Sequence, residues 1–311
     1  MQINIKKFKL FLEQNIFFND VKSLKHINRG GTSCNFVLNS TDTKYLLKAI
    51  NKQQFSRVMK LCDILQALEK EHNIYSPHLI KFQNKPYFEY DQWLILIIEF
   101  IDGKKLSAKQ IDNQLIDKIF SSYQNIKNLN FDTSEKRCIK NIYAENKDML
   151  DKFLFENKNF IKRKILQSVY TLNEKLNNKA MPEKALQIIH GDASLNNCLK
   201  DANNQIALLD FELIRLGYPV EDWAEFLISS LFQHQIYFFS TKKLKNLILH
   251  CNKLFLFEKS DWQYGIDLYF LNLINKRLKS KKLFKSIRKA WLFSLNNKKY
   301  QVITDLINSI Y

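Results

Sequence analysis

Apolar and polar positions change rhythm several times along this chain, and each change predicts an element. Over residues 1–20 apolar side chains recur at helical spacing (Ile5, Phe8, Leu10, Phe11, Ile16, Phe17), which predicts a short N-terminal helix. The rhythm then shortens to β-type runs over 21–27, 34–39 and 44–50. The first two are separated by Asn28-Arg29-Gly30-Gly31-Thr32-Ser33 and the last two by a Ser-Thr-Asp-Thr turn. Residues 53–70 return to helical spacing, with Phe55, Val58, Met59, Cys62, Leu65 and Leu68 on one side. A short strand over 79–82 precedes an apolar run over 93–101, which reads as a buried strand. Residues 107–178 contain neither Gly nor Pro and read as mostly helical. Two short strands, 185–189 and 206–209, then flank a polar loop, and amphipathic helices follow Asp222. A β-rich part over 1–101 thus precedes a mainly helical part over 102–311, an α+β arrangement.

Composition narrows the class of protein. The chain has 311 residues, 46% apolar and 25% charged, enough for two parts with a core each. With only 6 Gly and 4 Pro, flexible linkers and low-complexity architectures are excluded. The apolar run over 93–98 is far short of the ~20 residues a membrane span requires. Residues 1–7 also lack the apolar core of a signal peptide. Five scattered cysteines with no CxxC indicate neither a zinc site nor a disulfide framework, so a reducing, cytoplasmic location is expected. The net charge of +17 raises the question of nucleic acid, but no zinc-finger spacing, aromatic RNA-binding strand or basic zipper accompanies it. Solvated lysines account for the charge, and no nucleic-acid partner is expected.

The chemistry gathers in His190-Gly-Asp-Ala-Ser-Leu-Asn-Asn197 and, thirteen residues beyond Asn197, in Leu208-Leu-Asp-Phe-Glu212. Phosphoryl transfer needs a carboxylate at the acceptor hydroxyl and oxygen ligands that hold Mg²⁺ against the nucleotide phosphates. Asp192 and Asn197 lie five apart on one polar loop, so the first can face a hydroxyl while the second turns to a metal. Asp210, at the end of an apolar strand, supplies a charged metal ligand. Between two predicted strands, Gly30, Gly31, Thr32 and Ser33 offer backbone N–H groups and hydroxyls to phosphates.

These segments resemble the catalytic loop H-G-D-x-x-x-x-N and the metal-binding I-D-F/W-E/G of the aminoglycoside phosphotransferase and choline kinase superfamily. Gly217-Tyr-Pro-Val-Glu-Asp222-Trp-Ala resembles that superfamily's G-x-P-x-x-D-L-A segment. The likeness runs from about residue 24 to 226 in the same order. It implies a bilobal, protein-kinase-like fold with a β-rich N-lobe and a larger helical C-lobe, using ATP and Mg²⁺. Asp192 would be the catalytic base, Asn197 and Asp210 the metal ligands, and His190 and Asp222 structural supports of the loop. Lys48, in Tyr45-Leu-Leu-Lys48-Ala, is similar to the strand lysine that meets ATP phosphates, and Glu99 to Ile101 looks like the hinge whose backbone meets adenine.

Kinases of this kind carry a helix Glu that pairs with the strand lysine. The helix after Lys48 begins Gln53-Gln54-Phe55-Ser-Arg57 and offers no such Glu, leaving Gln53, Gln54 or Asp63 as substitutes. The acceptor stays open between amino alcohols (choline, ethanolamine, thiamine), sugars and aminoglycosides, and a nucleotide-binding pseudokinase is the non-enzymatic alternative. A cationic acceptor needs carboxylates or an aromatic cage, for which Trp262, Tyr264, Tyr269 and Trp291 are available. From Trp223 onward 15 Lys+Arg stand against 5 Asp+Glu, a field that disfavours polybasic drugs. The basic stretch from Lys276 to Lys289 is a solvated helix face or a contact for an anionic surface.

Overall fold

The computed structural model describes residues 3–15, 21–27, 33–41, 43–71, 73–130, 139–156, 160–176, 185–232, 241–279 and 296–311. The chain divides into two compact units. Unit 1 comprises Met1–Leu106, Ser121–Asp132 and Asn196–Glu212, and unit 2 comprises Ser107–Phe120, Thr133–Leu195 and Leu213–Tyr311. The boundary expected at 101/102 therefore falls inside unit 1, which also takes in the stretch carrying Asn197 and Asp210. Hydrogen bonding explains this: strand β9 (Cys198–Lys200) pairs with both β7 (Lys104–Lys105) and β10 (Ile206–Leu208), and the Leu208 N–H donates to the Tyr75 carbonyl at 2.9 Å.

The main sheet of unit 1 is antiparallel and six-stranded. Its strands are β1 (Ser23–Ile27), β2 (Ser33–Asn39), β3 (Lys44–Asn51), β4 (Leu79–Ile80), β5 (Phe88–Tyr90) and β6 (Trp93–Glu99), in the order β1-β2-β3-β6-β4 with β5 also on β6. Side chains alternate faces along a strand. One face carries Phe36, Leu38, Leu47, Ala49, Ile95 and Ile97, which close a core with Phe8 and Leu12 of α1 (Ile5–Asn15). The Phe8 ring meets Phe36 edge-on at 5.4 Å. Lys48 therefore points to the other face, in register between Asn35 of β2 and Leu96 of β6. Helix α2 (Phe55–Lys70) packs alongside β4 and buries Val58, Leu61, Cys62, Ile64, Leu65 and Leu68. Phe55, expected on that buried side, stands at the helix start and remains exposed. The apolar run over 93–101 ends as a strand at Glu99, although Ile101 is buried.

Helix α3 (Asn113–Ile126) contributes to both ranges. Unit 2 is mainly helical, with α4 (Ile139–Glu156), α5 (Phe160–Lys175), α6 (Pro219–Phe232), α7 (Thr241–Phe255), α8 (Lys259–Lys279) and α9 (Asn296–Asn308), and it includes a short ribbon of β8 (Gln187–Ile189) and β11 (Arg215–Gly217). Its aromatic core links Trp223 to Phe255 at 5.2 Å and Phe255 to Phe257 at 4.8 Å. Helices α6 and α8 approach closely at Gly265. A Cβ there would lie 2.8 Å from the Val220 carbonyl oxygen and 2.9 Å from the Ala224 Cβ. Among the described residues no helix is long and apolar enough to cross a membrane. Cys34, Cys62, Cys198 and Cys251 are free thiols, and burial pushes those of Cys62 and Cys198 up to about 12.

The Gly265 contact sets a test of helix packing. Ala favours a helix over Gly by about 1 kcal/mol, yet Gly265→Ala should lower stability by about 1–3 kcal/mol because neither neighbouring backbone nor Cβ can yield. Denaturant unfolding followed by circular dichroism measures the difference.

Candidate active site

In unit 2 the chain leaves β8 into His190, Gly191 and Asp192, and local sterics fix the turn. Gly191 has φ +77°, and a Cβ at this position would stand 2.1 Å from the Leu213 carbonyl oxygen, so only glycine fits. The turn is held by the buried Asp222 of the first turn of α6. Its Oδ2 accepts the His190 N–H at 2.7 Å and its Oδ1 the Gly191 N–H at 2.8 Å. Burial pushes the Asp222 carboxyl above the usual carboxylate range, against the opposing pull of His190, Arg215 and the two N–H groups. The neighbouring Glu221 accepts the Tyr218 N–H at 2.8 Å through Oε1, while its Oε2 lies 2.9 Å from Nη1 of Arg215 on β11. Burial raises the Glu221 carboxyl too, with Arg215 acting against it. The result is a frame of two buried carboxylates at a helix N-terminus, where negative charge is favoured. Asp192 emerges from it half-buried.

In unit 1 the β9–β10 hairpin does the positioning. Cys198 pairs with Leu208, and one step outward the Leu209 N–H donates to the Asn197 carbonyl at 2.8 Å. That register brings Asn197 and Asp210 to the same open end of the hairpin. Asp210 adopts φ +61°, a left-handed conformation that Asp tolerates better than most side chains, and its carboxylate is half-exposed. The Lys48 Nζ lies 3.5 Å from Asp210 Oδ1. Burial holds the Lys48 ammonium below the usual lysine range, Asp210 pulling the other way.

The substitutes expected for the missing helix Glu are not the partners of Lys48. Gln54 Oε1 accepts from Arg57 Nη1 at 2.8 Å, the Gln53 N–H caps onto Asn51 Oδ1 at 2.9 Å, and the Asp63 side chain is exposed. The partner is Glu212, the last residue of Asp-Phe-Glu. One of its carboxylate oxygens pairs with Lys48 and the other with Arg57 of α2, and the carboxylate is only 11% exposed. Glu212 and Arg57 are the site residues that sequence reasoning did not assign. The signal that could have found Glu212 is a lysine between apolar neighbours with no acidic residue in the first turn of α2, together with a spare carboxylate two residues beyond Asp210.

Other expectations separate at this point. Gly30, Gly31 and Thr32 lie outside the described residues, and Ser33 opens β2, half-buried. Glu99 closes β6 with its N–H donated to the His78 carbonyl at 2.9 Å, so that N–H is already engaged. Trp262 and Tyr264 are core residues, 1% and 2% exposed; Trp262 donates to Asn252 Oδ1 at 2.6 Å and Tyr264 packs on Tyr218. They cannot cage a cation. Tyr269 is half-buried against Phe270, and Trp291 is outside the described residues. Of the basic stretch from Lys276 to Lys289, the part up to Lys279 ends α8, where Leu278 is buried and Lys279 pairs with Glu145 at 2.6 Å. The remainder is outside the described residues.

Residues 23–235 match the sequence pattern of the phosphotransferase enzyme family, well over half of the chain. The chain belongs to that family. Solved structures agree with the fold of this phosphotransferase. Spectinomycin phosphotransferase, in complex with ADP and spectinomycin, superposes with a TM-score of 0.70 at 14% identity, over 100% of this chain and 99% of its own. An aminoglycoside phosphotransferase from Alicyclobacillus acidocaldarius gives 0.66 at 14% identity, over 93% and 92% of the two chains. A choline kinase from Streptococcus pneumoniae gives 0.59 at 16%, over 98% and 99%. Among curated proteins none matches by sequence. The protein-kinase-like α+β fold and the aminoglycoside phosphotransferase and choline kinase superfamily read from the sequence are therefore those of this protein.

The Asp222 brace gives a stability test independent of activity. Asp222→Ala leaves two buried N–H groups without their acceptor, at a cost of about 2–4 kcal/mol. Amide hydrogen exchange should show His190 and Gly191 losing protection. Unchanged protection there would mean the loop stands without the brace.

Proposed function

We propose that this phosphotransferase moves the γ-phosphoryl group of ATP to a hydroxyl of a small molecule, with Asp192 as the catalytic base. The observation that carries the reading is the hairpin register that sets Asn197 beside Asp210, with Lys48 3.5 Å from the latter. Asn197 and Asp210 offer one amide oxygen and one carboxylate, a hard-oxygen pair of the kind that holds Mg²⁺ jointly with nucleotide phosphates. When bound, Mg²⁺ supplies neutralisation of the charge that develops on the phosphate oxygens. Lys48 adds a cation at the phosphates, and the backbone near Ser33 and over Glu99 to Ile101 is assigned to phosphates and adenine respectively. Asp192 lies on the same unbroken stretch of backbone, five residues before Asn197. It takes the proton of the acceptor hydroxyl as that oxygen bonds to phosphorus and the bond to ADP breaks. His190 and Asp222 keep the loop in shape.

The fold neighbour bound to ADP supports nucleotide use, and free thiols on the described cysteines support a cytoplasmic setting. For the acceptor we favour an amino alcohol of the choline, ethanolamine or thiamine kind, or a sugar. The basic surplus after Trp223 disfavours polybasic drugs, although likeness to the spectinomycin phosphotransferase keeps an aminoglycoside kinase as the second reading. A pseudokinase is the weaker alternative, because Asp192, Asn197 and Asp210 are all present and Lys48 is paired.

ATP consumption measured against choline, ethanolamine, thiamine, sugars and aminoglycosides should single out one class. No consumption with any of them, together with no nucleotide binding, would sink the reading. With the acceptor in hand, Asp192→Asn should lower turnover by ~10²–10⁴-fold without unfolding the protein. Asn197→Ala should raise the magnesium concentration needed for half-maximal rate and leave the acceptor KM in place. A raised acceptor KM with an unchanged magnesium requirement would place Asn197 at the acceptor instead.

A further inference from the structure

We propose that Glu212 is the positioning residue for Lys48, and that the strand-lysine ion pair of this phosphotransferase is built in reverse. The carboxylate comes from the segment after the metal-binding Asp210, and α2 contributes a cation, Arg57, in place of a glutamate. This rests on the nucleotide-binding reading above.

Four observations carry it, all within unit 1. Lys48 stands mid-strand on β3 with apolar neighbours in the chain, its side chain 11% exposed, so its ammonium needs an ionised partner. Glu212 is equally buried and gives one oxygen to Lys48 and the other to Arg57, using both ends of the carboxylate. Arg57 lies in the first turn of α2, 34% exposed, and its other terminal nitrogen is held by Gln54 at 2.8 Å. No acidic residue occurs in that first turn. An arginine presents its donors as a rigid fork, so a guanidinium gripped by Gln54 on one side and Glu212 on the other fixes the carboxylate in direction as well as in place.

The reversal has a consequence for how the site holds together. With a helix glutamate, the lysine is tied to the helix directly. Here the lysine is tied to the segment that carries Asp210, and the helix is tied to that same segment through Arg57. Glu212 is thus the common member of two pairs. Without it, Lys48 has Asp210 at 3.5 Å as the ionised neighbour to turn to, which draws the ammonium off its place at the phosphates and occupies a metal-binding carboxylate.

The test measures ADP affinity by isothermal titration calorimetry, once with magnesium and once in EDTA, so that metal ligation and lysine positioning separate. Glu212→Gln should weaken ADP binding about tenfold in both conditions, the equivalent of one charge-assisted hydrogen bond. Arg57→Ala, at a side chain 34% exposed, should weaken it about threefold, within the smaller range of a partly exposed ion pair. The two together should do no worse than Glu212→Gln alone, because both act through one carboxylate. The charge exchange Arg57→Glu with Glu212→Arg returns a carboxylate to the helix and should recover part of the affinity. If Glu212→Gln weakens binding with magnesium only, and Arg57→Ala changes nothing, Glu212 is a metal ligand and the positioning role is wrong. Wild-type affinity in both variants would overturn the proposal equally. A wild-type chain that binds no ADP in either condition would overturn the nucleotide reading and this inference with it.

Discussion

A buried ammonium constrains much of unit 1. Lys48 sits in the middle of a strand whose neighbours are apolar, where an unpaired charge costs several kcal/mol. Its partner has to arrive from elsewhere in the chain, already ionised and already aimed. Glu212 meets that need from a segment more than 150 residues away, and Arg57 satisfies its second oxygen. The stretch from Asn196 to Glu212 that supplies this partner belongs to the same unit as the N-terminal sheet. Pairing of β9 with β7 and the Leu208 to Tyr75 hydrogen bond hold the stretch there, and the ion pair uses that placement.

The loop in unit 2 solves the opposite problem. Its demand is for backbone shape rather than for charge. A glycine in a left-handed conformation sharpens the turn, and two consecutive N–H groups converge on a single buried carboxylate. Asp222 pays for its burial through those two hydrogen bonds and through the helix N-terminus it occupies. Asp192 then follows directly on that braced turn, half-buried. Carboxylates at adjacent positions thus do different work because their surroundings differ: Asp222 braces and Glu221 neutralises the buried Arg215.

The same distinction bears on the aromatic residues of α8. Trp262 and Tyr264 read equally well as core or as a cation cage from sequence, since both uses place rings at helical spacing. Packing against Phe257 and Tyr218 assigns them to the core. Recognition of an acceptor must come from other groups.

The order of the elements and of the site segments is legible in the amino-acid sequence, and likeness of those segments to a known superfamily gives the family and the fold. Both rest on local features: alternation along strands, the His-Gly-Asp turn, the five-residue step to Asn197 and the Asp-Phe-Glu at a strand end. Short strands such as β5, β7 and β9 escaped because two or three residues carry too little periodicity to register. The α2 helix is legible, but the exposure of Phe55 is not, since periodicity does not say where at a helix end the core stops. Gly265 had no local explanation at all, and only the crossing of α6 over α8 gives it one. The lysine amid apolar neighbours and the spare carboxylate after Asp210 are both visible locally, but an ion pair between distant positions has no periodicity, and only the folded chain brings Glu212 to Lys48 and Arg57.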